Sequence, residues 1–563
     1  MYKVVQLGDF SVKKAVTGGI DMTADLAVFG KVFTSEDEAF YAEGFAVKDG
    51  KILAVGTKEE IQQYIGKQTE VHTYDTGIIV PGFTEGHAHI SSTIEFMTGP
   101  FVEADSIEKC QKIIKDFADS HPENPTIEGG GFDPGLFGPD GPTADIIDAV
   151  VSDRPVIISD EGHHSVWVNT KALELAGITK DTQDPENGKI NHYPNGEPSG
   201  FLQEMAIDLI TPALAVPEVS DYKKAILYYQ QIGLSHGIVS AFEPMLSHTK
   251  DEPVRMAAYD ELDQEDRLKI TYRVAPTLNP SDNTDEFYKQ AAAYHKHFAS
   301  REKIQVNTIK FFMDGVVDGH TALLREPYQL EPLDCGPLMF EQEDLNKRME
   351  RALQEGFSIH VHAIGDAAID EALNAFEYAQ KKVPGKYRNA ITHLQVCQPD
   401  QPKRMKALNV VAVVNPYWHY ETPLYESLEF PFLGKERAEH MYYVKSYLNE
   451  GIVMSQASDF PVTVPPDTMF CLHMMVNRFD PKTSKKPYFP EECIGVEDAL
   501  KVLTIGGAYE NFLEEKKGSI KAGKDADFVV LSRDVTAMPK EEIYKTKVLE
   551  TWIGGECCYM FEE

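Results

Sequence analysis

The chain has 563 residues, 42% of them hydrophobic and 25% charged, with 54 lysines and arginines against 89 acids and a formal net charge of −35. That length exceeds one ordinary domain, and the composition is that of a globular protein rather than a disordered one. So acidic a chain repels nucleic acid and anionic membrane surfaces, and no stretch approaches the roughly 18 apolar residues of a membrane helix, so neither partner is expected. Its seven cysteines show no disulfide-framework or zinc-ribbon spacing, and the amino terminus has no signal-peptide core; the expected location is the cytoplasm.

Residues 1–24 read as an extension. From about residue 25 to 80 the sequence reads as short β-strands, with Asp49-Gly50 in KDGKI supplying the positive-φ positions of a hairpin turn. The carboxyl end, GSIKAGKDADFVVLSRD and KVLETWIGGECC, has the same texture. The two ends, 1–80 and 505–563, are therefore expected to build one small β-sandwich.

Between them, apolar strands alternate with helical stretches such as 370–382, which points to a parallel α/β architecture. The expected strands cover 78–90, 237–244, 268–278, 306–315, 357–366, 389–396, 410–418 and 451–459. Eight is the number that closes a TIM barrel, so 81–504 is read as a distorted (β/α)8 barrel. The first and second strands lie about 145 residues apart, far beyond loop length, so a subdomain is inserted at about 95–225. The glycine run 129–131 reads as a turn.

The chemistry-bearing residues fall near the carboxyl ends of these strands, where barrel enzymes place their catalytic groups. Strand one ends in His87-Ala88-His89, and residues two apart on a strand share a face, so both imidazoles can reach one ion. An HxH pair alone is weak evidence and is often structural. Here strand four adds Lys310, strand five His362, strand six His393 and strand eight Asp459.

With these residues the chain resembles the amidohydrolase superfamily, and within it the amidohydrolase-3 group of YtcJ-like, N-substituted formamide deformylase-like proteins. The matching stretches are VPGFTEGHAH (80–89), EGHHSVWVNTKALELAGI (161–178), IKFFMDGVVDGHTALL (309–324), HAIGDAAID (362–370), ITHLQ (391–395), SDFPV (458–462) and GSIKAGKDADFVVL (518–531). The resemblance implies a metal-dependent hydrolase acting on a non-peptide C–N bond of a small amide or formamide, in a homodimer. By the family pattern, His87, His89 and Asp459 would bind a buried divalent ion and His362 and His393 a more exposed one. Zinc is the expected metal, with iron, manganese or cobalt as alternatives. Lys310 would be carbamylated and bridge the two; the other reading is an unmodified amine and a mononuclear enzyme. A metal-activated water would attack the carbonyl, with Asp459 taking its proton and delivering it to the leaving nitrogen.

Other residues are read against blander roles. His163, in the Gly-His pair of the insert, is a candidate for touching substrate or stabilising the oxyanion, or else organises a loop. His320 lies in the pocket-shaping loop after strand four, where the group often has arginine. Trp418 belongs to an aromatic cluster, Tyr417 to Tyr420, suited to an apolar or planar substrate. Glu85 stands where relatives usually have aspartate before HxH, a change expected to alter packing rather than ligation. His360 and His473 read as core histidines, His360 with a possible supporting role beneath the metal.

Cyclic amide or imide opening uses the same ligand set and stays open. A mononuclear deaminase is disfavoured because AIGDAAID follows His362 in place of an HxxE spacing. A non-catalytic binding or regulatory protein is disfavoured because all the ligand positions are filled.

Overall fold

The structure is a computed structural model and describes residues 23–562, apart from 39, 139–140, 161–164, 186–187, 215–216, 247–250, 318, 330–332, 422–424, 426–428 and 484–485. His163 and nearly all of the amino-terminal extension lie outside the described residues.

Eight parallel strands form the centre: β1 (Phe83–Glu85), β2 (Ile238–Glu243), β3 (Thr271–Val274), β4 (Thr308–Phe312), β5 (Ser358–Ala363), β6 (Ala390–His393), β7 (Val411–Val414) and β8 (Met454–Gln456). Pairing runs β1-β2-β3 in one sheet and β4-β5-β6-β7-β8 in another. Both seams are bonded. Lys310 N donates to Pro276 O (2.9 Å) and Leu278 N to Lys310 O (3.0 Å). At the other seam, Gly86 N donates to Gln456 O (2.8 Å) and Asp459 N to His87 O (3.0 Å). The pairings therefore close into a ring. Its strands are almost wholly buried, as expected of parallel strands covered on both faces. Helices such as Glu252–Gln264, Thr284–Phe298, Gln342–Gln354 and Asp366–Lys382 alternate with the strands. None among the described residues is long and apolar enough to cross a membrane.

The run expected as one strand over 78–90 is two. Ile78–Pro81 joins the terminal sheet and β1 joins the ring, with Gly82 between them. A side chain at Gly82 would collide with Val239, its Cβ falling 2.5 Å from Cγ2, so glycine lets the chain change sheets against β2.

The two ends of the chain build one eight-stranded sheet. Its path runs through 556–560, 548–553, 528–531, 78–81, 26–33, 41–48 and 51–56, with 70–73 also on 26–33. The hairpin turns at Asp49 (φ 49°) and Gly50 (φ 73°), as its sequence requires. In the long gap after β1, residues 127–204 form a separate five-stranded sheet with its own apolar clusters. The glycine run 129–131, expected as a turn, lies in its strand Ile127–Phe132. The reason is close packing: a Cβ at Gly129 would stand 2.3 Å from Pro100 O.

Trp167 is fully buried in that inserted sheet, with its ring 4.9 Å from Phe137 and 5.8 Å from Phe132, and it donates to Thr143 O. Trp167→Ala is expected to cost about 3–5 kcal/mol of stability in denaturant unfolding. A loss below about 1 kcal/mol would contradict this packing.

Candidate metal centre

His87 and His89 follow β1 directly, and Asp459 follows β8 across the seam. Asp459 Oδ1 lies 3.3 Å from His87 Nε2 and 3.2 Å from His89 Nε2. His393, the last residue of β6, completes the cluster: His87, His393 and Asp459 each offer a donor atom within 4.8 Å of the others. Its Nδ1 is 3.1 Å from Asn415 Oδ1 at the end of β7, an acceptor that fixes Nδ1 as the protonated nitrogen and leaves Nε2 for the cluster. His393, Leu394 and Asp459 all have φ between 53° and 74°. Non-glycine residues resist this left-handed backbone, at about 1–3 kcal/mol each, and such strain gathers at functional sites.

Lys310 points from β4 into the same region. Its Nζ is 4.5 Å from the Phe312 ring centroid, is fully buried, and has no hydrogen-bond partner among the described residues. Burial pushes its ammonium down to about 7. His362, on β5, places its ring 4.5 Å from that of His393, but its Nε2 faces Gly315 O at 3.1 Å and Asp314 Oδ1 at 3.6 Å. The structure thus gathers His87, His393 and Asp459 tightly, with His89 on the same carboxylate oxygen and Lys310 and His362 beside them.

Burial, reinforced by the Lys310 charge and neighbouring imidazoles, holds His87, His360 and His362 well below the ordinary histidine range. Burial also takes His393 down to about 4. Burial alone would raise Asp459, but the His89 hydrogen bond and the charges of His393, His89 and Lys310 outweigh it and keep the carboxyl low. Neutral imidazoles, an ionised carboxylate and an unpartnered buried amine are the protonation states that metal ligation needs, so the residues fit a divalent cation.

Several polar residues around the cluster carry more than their sequence signal suggested. Glu85 Oε1 accepts from His87 N (3.1 Å) and Ser458 N (2.9 Å), and Oε2 from Gln456 Nε2 (3.2 Å), so it clasps β1 to the end of β8. His360 bonds His87 directly, Nε2 to Nδ1 at 3.0 Å, and is not a simple core histidine. Asp314 accepts from the backbone N–H groups of Leu323, Ile364 and Gly365, anchoring the loop after β4. Asn415 and Asp314 each left one trace, a lone polar residue closing an apolar run.

Trp418 stacks on His393, with centroids 5.5 Å apart and planes at 27°. His320 packs against Tyr328 (4.9 Å) and Phe432 (4.0 Å) in the aromatic lining of its loop. His473 lies buried in Thr468–Asn477, bonded to Phe479 O, as a core histidine should be.

A family model described as "Amidohydrolase family" matches residues 77–559. The putative amidohydrolase YtcJ of Bacillus subtilis (strain 168) is 29% identical over 543 residues, covering 94% of this chain and 98% of that protein. The N-substituted formamide deformylase of Arthrobacter pascens is 24% identical over 538 residues, covering 92% and 95%. Among solved structures, an uncharacterized metal-dependent hydrolase from Pyrococcus horikoshii OT3 superposes with a TM-score of 0.75 at 23% identity, covering 92% of this chain and 99% of that one. At that identity the likeness is one of fold.

Burial raises the Glu85 carboxyl to about 7 against the hydrogen bonds it accepts. A raised folded-state value means that its stabilising contribution is complete below the unfolded value of about 4.5 and is lost as pH rises through about 7. In metal-free protein, the stability of Glu85→Gln relative to the parent should therefore improve by on the order of 3 kcal/mol between about pH 5 and pH 8. Denaturant unfolding at both values checks this, and a pH-independent difference contradicts it.

Proposed function

The chain belongs to the amidohydrolase family, and on that basis we propose that it is a metal-dependent hydrolase cleaving a non-peptide carbon–nitrogen bond, with N-substituted amides and formamides as its substrate class. The observation that carries the reading is the His87–His393–Asp459 cluster, with His89 on the same carboxylate oxygen and the unpartnered Lys310 amine beside it. The framework is a (β/α)8 barrel with the cluster at its carboxyl-terminal mouth, flanked by the sheet of the two chain ends and by the insert.

His87, His89 and Asp459 would hold the deeper of two ions and His393 the outer one; His362 would join it on releasing Gly315 O. A divalent ion so held, zinc or else iron, manganese or cobalt, supplies Lewis acidity to a carbonyl and brings the pKa of water down to about 7. The Lys310 amine, largely neutral near pH 7 in its buried setting, can add to carbon dioxide, forming an N–C bond and losing one proton to give a carbamate. That converts a costly buried amine into an anionic ligand. Asp459 takes the proton of the attacking water and returns it to the leaving nitrogen, so that amide plus water yields acid plus amine. Trp418, stacked on His393, offers a flat apolar wall to the substrate, His320 shapes its loop through Tyr328 and Phe432, and His163 is the candidate from the insert for reaching the reacting carbonyl.

The tight cluster has three residues and suffices for one ion, which favours a mononuclear hydrolase as the second reading. Elemental analysis of protein purified without chelator, in bicarbonate, separates the two. About two equivalents of metal per chain, with amine release from N-formyl amines, is the expected result. Lys310→Met should then lower kcat/KM by at least ~100-fold and leave about one equivalent or less. One equivalent in the parent supports the second reading, and none after reconstitution overturns both.

A further inference from the structure

We propose that His360 and Glu510 form a positioning relay that fixes His87 as a metal donor through Nε2; this rests on the metal-dependent reading above. The relay is entirely internal, with His87, His360 and Glu510 at 1%, 0% and 0% exposure. His360 Nε2 lies 3.0 Å from His87 Nδ1, and His360 Nδ1 lies 3.5 Å from Glu510 Oε1. The three residues come from distant parts of the chain: the loop after β1, strand β5, and the helix Gly507–Glu510 that leads to the terminal sheet.

The hydrogen-bond polarity follows from valence. His87 faces Asp459 through Nε2, so ligation there leaves the hydrogen on Nδ1. The acceptor for that hydrogen is His360 Nε2. A neutral imidazole accepting at Nε2 carries its own hydrogen on Nδ1, and Glu510 Oε1 lies on that side at 3.5 Å. This is a close polar contact short of a formed hydrogen bond, between two buried atoms with no other hydrogen-bond partner among the described residues. A carboxyl oxygen accepts in either charge state, so the relay needs no titration of its members.

Neighbouring groups hold the relay rigid. Phe242 packs edge-to-face on His360 at 4.9 Å, and the Arg273 guanidinium lies 4.2 Å from the centroid of the same Phe242 ring. Arg273 Nη1 donates to the backbone oxygen of Glu510 at 2.8 Å, fixing the residue that carries the terminal acceptor. A Cβ at Gly86 would stand 2.5 Å from Glu510 Oε2, so the carboxyl is seated directly beneath the backbone of the ligand loop. His360 is thus a positioning residue, and Glu510 positions it in turn.

The test uses the full chain, zinc dissociation constants from chelator competition, and nitrogen-15 histidine spectra of the zinc-loaded protein. His360→Phe should weaken zinc binding about 10–100-fold. His360→Gln should recover most of the loss, because its side-chain oxygen can accept the His87 hydrogen. Glu510→Leu should weaken binding about 10-fold, while Glu510→Gln, which keeps an acceptor oxygen, should stay within about 3-fold of the parent. In the parent, both His87 and His360 should appear as Nδ1–H tautomers. Metal-free melting of each variant separates lost folding from lost ligand orientation. Unchanged zinc affinity in His360→Phe, or an Nε2–H tautomer of His360, overturns the relay while leaving the metal reading intact. A parent chain that binds no zinc overturns that reading and the relay with it.

Discussion

Glu85 joins two strand ends that are 371 residues apart in sequence. One carboxyl oxygen receives the backbone N–H groups of His87 and Ser458, and the other receives the Gln456 side chain, so the segment bearing both histidines and the segment bearing Asp459 share a single buried acceptor. Across the same seam Gly86 N donates to Gln456 O and Asp459 N donates to His87 O. The contacts that close the ring therefore also hold the two histidines and Asp459 beside one another. The second carboxyl oxygen of Glu85 reaches Gln456 at the end of β8.

The electrostatics follow from that closure. Four imidazoles (His87, His360, His362 and His393), the Lys310 amine, and the carboxyls of Asp459, Glu85 and Glu510 are all buried together. Burial drives the imidazoles and the amine toward neutrality and lifts Glu85 to about 7 and Glu510 to about 8. Asp459 alone is held low, by His89 and by the charges of His393 and Lys310. Such a centre sets a carboxyl held low among imidazoles held below their ordinary range. That is the electrostatic character of a cation site, and it costs stability when no cation balances it. The carboxyl end contributes as well: the turns that follow the helix Gly507–Glu510 lead to Lys517, whose buried ion pair with Asp527 ties that segment to the terminal sheet.

Much of this was legible in the sequence. The strands of the ring sit within the apolar runs, the Asp49-Gly50 hairpin turns where its residues demand, and the HxH pair with His393 and Asp459 falls at strand ends. What escaped was set by long-range packing. Gly82 reads as an ordinary residue of an apolar run until Val239 packs against it, and the glycines at 129–131 read as a turn until Pro100 is found against Gly129 and Phe101 against Gly131. His360 looked like core because alternation shows which face a residue occupies, not what waits opposite. Glu510, some 150 residues further along the chain from His360, carries no local signature of its contact. His362 marks a different limit: spacing brings its ring to His393 but does not decide which nitrogen faces the cluster.

The most direct test of the central claim is anomalous X-ray diffraction at the zinc edge, from crystals grown with zinc and bicarbonate. The account expects anomalous density between His87, His89, His393 and Asp459, with added density on Lys310 Nζ for a carbamate. Zinc bound only elsewhere on the chain, or no ordered zinc at this cluster, would contradict it.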